Sequence, residues 1–343
     1  MSGKFTEKIN NVYKYLSDRE SKEIYANRLM YSLTGDYEYI ISIVKNTELY
    51  RKLWCIFLND SRHKYIFGAG IWGKQIAELY REFEFAGYID SHIKGQYKGW
   101  SIISLDEYLK KKRDETIYIS STKYHAEQYM QLISAGIREE NIVDIGEMML
   151  KVWDECQYFD LPELKFRKGK NEVFVDGGCY DGTNSVRFAK WADGNGRIWA
   201  FEPDMENIKI CEDRFRAEHI GQYKLINKGL WSRETQLCFE NDSNEGSRFH
   251  DGGKTIVPVT CLDEVINGKV SFIKLDIEGA EYEALSGAKR IISKFKPKLA
   301  VSVYHKKEDI WELPELIIKM NPQYKLFLRH YSLDRVETVL YAI

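Results

Sequence analysis

The chain has almost no net charge. Fifty Lys and Arg stand against 52 Asp and Glu, a formal charge of −2. That excludes a global electrostatic pull toward nucleic acid or an anionic membrane. No apolar run approaches the ~18 residues of a membrane-spanning helix, so no membrane insertion is expected. The start, MSGKFTEKINNVYKY, lacks the apolar stretch of a secretory signal. Cysteine is sparse: Cys55, Cys156, Cys179, Cys211, Cys238 and Cys261 are widely spread with no C-x-x-C. This argues against a zinc ribbon and a disulfide scaffold, and for reduced thiols in a cytoplasmic protein. Proline is scarce too, at 6. There is no Gly-x-Ser-x-Gly elbow for a serine nucleophile. His63, His92, His125, His219 and His250 lie scattered without metal-ligand spacing; Glu278 and Glu281, flanking Gly279, could hold a divalent ion, but no metal is expected.

What is present is a foldable chain. Hydrophobic residues make up 44% and charged residues 30%, which is a globular and not a disordered balance. Its 343 residues suffice for two domains at ~150 residues each. Twenty-three Tyr are conspicuous. They fit either stacking surfaces for sugars or bases, or a general Lys/Ile/Asn/Tyr bias.

Residues 1–60 read as a helical segment, with Phe5, Ile9, Val12, Tyr13 and Leu16 at helical spacing. Packing, or homo-oligomer formation through these helices, is the expected role. Residues 61–150 alternate strands and helices and read as a small Rossmann-like α/β domain. The charged stretch 151–170 reads as a linker. Residues 171–343 form a second, larger α/β domain, whose last two strands, near 325–329 and 337–342, are close enough for an antiparallel pair.

Two glycine loops join strand to helix. In the first, Gly68, Gly70 and Gly73 follow the strand Lys64–Phe67, and Asp90 ends the next strand. Such a loop brings backbone and a helix N-terminus to a phosphate, and the acid suits ribose hydroxyls. This leaves open a nucleotide or nucleotide-sugar site, NAD(P) chemistry framed by Trp72 and Asp90, or a scaffold that binds nothing. The second loop runs from Asp176 through Gly177, Gly178 and Gly182. A carboxylate before the glycines repels pyrophosphate but suits an ammonium and a sulfonium, as in S-adenosylmethionine. Glu202 ends the next strand and is placed to accept both ribose hydroxyls, and Asn227 ends the third on the same cofactor side.

With Glu202-Pro203, Leu262-Asp263 and Lys274 through Glu281, this half resembles the FkbM family of S-adenosylmethionine-dependent methyltransferases. The resemblance covers about residues 165–343. It implies a class I methyltransferase fold, α/β with a seven-stranded, mostly parallel sheet whose last strand is antiparallel. It also implies O-methylation of a small-molecule or glycan acceptor, with S-adenosylmethionine as donor. The acceptor is then expected at Asp276 and Glu278, Tyr304 and His305, and His330 and Tyr331. His305 is the candidate general base. Asp276 and Glu278 are candidate orienting acids, Glu281 a structural acid, and Lys274 a partner for one of them. Loop 240–254 is expected to shape acceptor specificity.

Overall fold

The structure is a computed structural model that describes residues 2–111, 114–165, 171–240, 248–249 and 255–343. Most of loop 240–254 therefore lies outside the described residues. The chain divides into two units, Met1–Tyr39 with Tyr158–His330 and Val336–Ile343, and Ile40–Gln157 with Tyr331–Arg335. Among the described residues, no helix is long and apolar enough to cross a membrane.

In the first unit, α1 (Ser2–Tyr15) and α2 (Arg19–Thr34) precede a seven-stranded sheet. Its strands are β1 (Val173–Gly177), β2 (Arg197–Phe201), β3 (Tyr223–Ile226), β4 (Phe272–Leu275), β5 (Lys298–Ser302), β6 (Leu326–His330) and β7 (Thr338–Ala342). They lie in the order β3-β2-β1-β4-β5-β7-β6. All neighbours pair parallel except β7, which runs antiparallel to both β5 and β6. This is the sheet the family resemblance implies. The chain leaves β1 in one direction toward β3 and returns to its other side as β4. Such a topological switch opens a crevice beyond the strand ends, where open α/β sheets bind ligands.

Central strands buried on both faces read as continuous apolar runs. Phe174 of β1 stacks on Phe272 of β4 and on Phe188 of the helix α3 (Thr183–Trp191), at 5.2 and 4.8 Å between ring centroids. Burying such a ring contributes roughly 1.5–3 kcal/mol.

The N-terminal helices do not form the separate segment expected for 1–60. Asp18 caps α2 by accepting from the Ser21 N–H at 2.7 Å, and its carboxylate also pairs with Arg329 of β6 at 2.7 Å. Buried Ser21 Oγ accepts the Leu328 N–H of the same strand at 2.8 Å. Lys8 of α1 bridges Glu312 and Glu315 of the last helix, α4 (Asp309–Met320), and Phe5 meets Trp311 edge-on. Val12 and Leu16 are buried in this packing. These apolar positions thus cover the chain's own sheet edge, a long-range pairing that periodicity does not encode.

The second unit carries a six-stranded sheet, in the order Gly95–Tyr97, Trp100–Ile103, Phe85–Ile89, His63–Phe67, Glu115–Ile119, Ile142–Asp144. The first two strands form a short antiparallel hairpin that the sequence reading omitted. Thr235–Glu240 and Thr255–Thr260 pair antiparallel in a separate small sheet.

Candidate active site

The switch point is closed by an ion pair. Asp176 and Lys274 lie opposite each other on β1 and β4. Lys274 Nζ is 3.3 Å from Asp176 Oδ1 and donates to the carbonyls of Gly177 and Gly178 at 3.2 and 2.6 Å. Ser185 Oγ donates to Asp176 Oδ2 at 2.7 Å. Burial pushes the Asp176 carboxyl up, and Lys274 and Ser185 only partly offset it. Burial pulls Lys274 down, but Asp176 and Asp276 outweigh it and keep the ammonium charged. Asp176 was expected to face the ammonium and sulfonium of a donor. It is fully buried and faces an internal cation, because the alternation of β4 turns the Lys274 side chain toward it.

The glycine loop sits on this pair. Gly178 has φ +71°, and a Cβ there would lie 2.0 Å from the Asp276 carbonyl oxygen. Only glycine lets the loop lie this close to the end of β4. Gly177 packs between Leu230 and Leu275, and Gly182 caps α3 against Phe215. Glu202, at the end of β2, is buried and accepts the Tyr180 N–H and the Asp204 N–H, each at 3.0 Å. Burial raises its pKa, and these donors work against the rise. Even with the Asn207 amide as a third donor, at 3.4 Å, its oxygens keep acceptor capacity for a ligand's hydroxyls. Asn227, expected on the cofactor, donates its amide to the carbonyls of Glu202 and Pro203 at 3.0 and 2.9 Å. It fixes the backbone that carries Glu202, and only its carbonyl oxygen remains for a ligand.

On the other side of the loop, Asp276 ends β4. Its Oδ2 accepts from the Tyr158 hydroxyl at 2.8 Å, and its Oδ1 lies 3.2 Å from the Tyr304 hydroxyl. Tyr158 belongs to the stretch read as a linker. Its N–H donates to the Tyr341 hydroxyl at 3.0 Å, which fixes it at the site. Nothing in its local sequence marks it, since the contact spans 118 residues.

His305 follows β5 and is walled by carboxylates. Its Nδ1 lies 2.9 Å from Glu281 Oε1, and its Nε2 3.5 Å from Asp276 Oδ1 and 3.6 Å from Glu278 Oε2. Burial lowers its pKa, but Glu281, Asp276 and Glu278 together raise it to about 10. With only these neighbours the ring is a cation at neutral pH and holds no free lone pair for an acceptor proton. The base assignment is therefore corrected: position at a strand end does not reveal three surrounding acids. One donor atom each from Asp276, Glu281 and His305 lies within 4.8 Å of the other two. The sequence suggested only that the Glu278 and Glu281 carboxylates flanking Gly279 could hold a divalent ion, with no metal expected; His305, from another strand end, was not part of that set. His330 is buried with its Nδ1 2.8 Å from the Thr338 hydroxyl, a contact between β6 and β7.

In the second unit the first glycine loop is closed on itself. Ser120 Oγ donates to the carbonyls of Phe67 and Gly68, each at 3.0 Å. A Cβ on Gly73 would lie 1.9 Å from the Gly68 carbonyl oxygen. Gly70 caps the helix Ile71–Leu79. Asp90 accepts the N–H groups of Ala69, His92 and Ile93, each at 2.8 Å. Burial raises its pKa, but these donors outweigh it and hold it ionised. The ribose role expected for Asp90 gives way to loop capping, and Trp72 meets Trp153 at 5.7 Å between ring centroids. The nucleotide-sugar reading gains no support.

Residues 176–331 match the family described as "Methyltransferase FkbM domain". Residues 176–331 are an FkbM methyltransferase domain. Among solved structures the chain is similar to the methyltransferase FkbM of Methylobacillus flagellatus KT, at 20% identity and a TM-score of 0.51, over 87% of this chain and 94% of that one. At that identity the likeness is one of fold. Two weaker likenesses are to Aeropyrum pernix fibrillarin, solved with natively bound S-adenosyl-L-methionine (13% identity, TM-score 0.35, 54% and 70% of the two chains), and to precorrin-6y C5,15-methyltransferase of Geobacter metallireducens GS-15 (13%, 0.34, 60% and 91%). No curated protein sequence matches the chain.

Proposed function

We propose that the FkbM domain transfers a methyl group from S-adenosylmethionine to a hydroxyl of a neutral, carbohydrate-like acceptor. One observation carries this reading. A single glycine loop is held by Glu202 at the end of β2 through Tyr180 and lies against Asp276 at the end of β4 through Gly178. Glu202 then receives the donor's ribose, and the acceptor lies toward Asp276 and Glu278. In the reaction the acceptor oxygen forms a bond to the methyl carbon as the sulfur–carbon bond breaks. The electron pair stays on sulfur, and the hydroxyl proton passes to a half-exposed carboxylate such as Glu278 or to water. Much of the rate comes from holding oxygen, methyl and sulfur in line. A near-zero net charge suits an uncharged acceptor better than a polyanion.

Calorimetric titration of the full chain with S-adenosylmethionine and S-adenosylhomocysteine tests the donor. Saturable binding of both is expected, and a folded protein that binds neither overturns the reading. Mass spectrometry with a methyl-deuterated donor then tests the acceptor class. Label on a hydroxyl oxygen is expected, and label on nitrogen or carbon overturns O-methylation.

A further inference from the structure

We propose that the carboxyl ends of β4 and β5 bind one divalent first-row cation, held by Asp276, Glu281 and His305 with Glu278 at the rim. The geometry is the first reason. One donor atom from each of the three residues lies within 4.8 Å of the others. Donors ~2.1 Å from a common ion stand at most about 4.2 Å apart, so small side-chain rotations close the set.

Unmet hydrogen bonding is the second. The His305 side chain is 8% exposed, and neither ring nitrogen makes a hydrogen bond among the described residues. The Glu281 carboxylate lies 2.9 Å from Nδ1 but off the direction in which that nitrogen bonds. Glu281 is fully buried, and its Oε2 also has no hydrogen-bond partner among the described residues. Buried polar atoms are rarely left unsatisfied, and three here cluster around one imidazole.

Charge is the third. Three carboxylates, Asp276, Glu278 and Glu281, face the single imidazole of His305, while Lys274 is already paired with Asp176. The carboxylates exceed the cations, and a divalent ion corrects the balance. Two carboxylates and one imidazole suit Mn²⁺ or Zn²⁺ better than Mg²⁺. Glu278 has φ +55° and a half-exposed side chain whose Oε2 lies 3.6 Å from His305 Nε2, at the rim of the set. Resting on the methyl-transfer reading, this site selects an acceptor with two adjacent oxygens able to chelate the ion, one of them the hydroxyl to be methylated. Lewis-acid contact eases loss of that proton.

The test uses the full chain, stripped with a chelator and then titrated separately with Mn²⁺, Zn²⁺ and Mg²⁺. One equivalent of Mn²⁺ or Zn²⁺ per chain is expected, with pulsed electron paramagnetic resonance of the Mn²⁺ form showing coupling to an imidazole nitrogen. His305→Gln is expected to abolish that coupling, and Glu281→Gln to weaken binding at least about tenfold. No saturable binding below about 1 mM by the wild type, or binding without nitrogen coupling, overturns the site. Both wild-type readouts decide the matter even where a variant fails to fold. S-adenosylhomocysteine is titrated into the same samples. Donor binding without metal binding overturns the cation site alone, and metal binding without donor binding overturns the methyl-transfer reading alone.

Discussion

Lys274 Nζ lies 3.3 Å from Asp176 Oδ1, across the β1–β4 pair where neither side chain reaches solvent. Removing one partner of a buried ion pair costs roughly 3–5 kcal/mol, whereas replacing both costs much less. Lys274→Met is therefore expected to destabilise the FkbM domain by about that amount. It also loses the ties to the Gly177 and Gly178 carbonyls. The double variant Asp176→Asn with Lys274→Met is expected to recover part of the loss. Chemical denaturation of the four proteins gives the coupling energy. Additive effects would show that the two charges act independently.

Gly178→Ala probes the contact between the glycine loop and β4. The new Cβ meets a backbone oxygen, which cannot swing aside, and φ +71° is itself unfavourable for alanine. A loss of at least about 2 kcal/mol is expected. Gly194 is the control. Its φ is +73° with nothing within 4 Å of a Cβ, so Gly194→Ala reports the backbone cost without the clash. Equal melting temperatures for the two variants would remove close packing as the reason for glycine at 178.

The donor side of the site was legible because its signals are local. A strand, a glycine turn and a helix follow one another in the chain, and an acid at the next strand end is predictable from spacing. On the acceptor side the meeting of Asp276, Glu278, Tyr304 and His305 was legible, but not what else surrounds them. Tyr158 reaches Asp276 over 118 residues, and Asp276, Glu278 and Glu281 all follow β4 while the His305 ring they surround follows β5. Asp90 misled for a related reason. Its spacing matches a ribose acid, but three backbone N–H groups take up its oxygens, which no spacing discloses. The tyrosine excess is partly a core feature, with Tyr25, Tyr80, Tyr88, Tyr118 and Tyr341 fully buried. The strands were read to within a residue or two, and the Gly95–Ile103 hairpin was missed because its arms are only 3 and 4 residues long.

Asp60 governs acid stability in the second unit. Burial raises its pKa, but the neighbouring Thr116 and Tyr118 hydroxyls and Arg62 outweigh this and lower it to about 2. The Tyr118 hydroxyl donates at 2.7 Å and Arg62 Nε at 2.9 Å. A carboxyl depressed in the folded state stabilises at pH values above its unfolded pKa of about 3.9, and that stability is lost as pH falls through the folded value. Wild-type stability is thus expected to decline between about pH 4 and pH 2, and more steeply than that of Asp60→Asn. At pH 7 the variant is expected to be the less stable. Parallel acid limbs in melting curves of the two proteins would exclude Asp60 as the titrating group.

Glu202 has two duties that one substitution confounds. Its carboxylate anchors the glycine loop through Tyr180 and Asp204, and it is assigned to the donor's ribose. Glu202→Ala removes both, so weaker S-adenosylhomocysteine binding alone proves little. A cycle with the 2′,3′-dideoxy analogue isolates the ribose contact. Charge-assisted hydrogen bonds of this kind are worth about 1.5–3 kcal/mol, so wild type is expected to prefer the normal ligand by roughly 10–100-fold. In Glu202→Ala that preference is expected to shrink to about twofold or less, whatever the loop does to overall affinity. A variant that still discriminates the two ligands as wild type does would place the ribose acceptor on another residue.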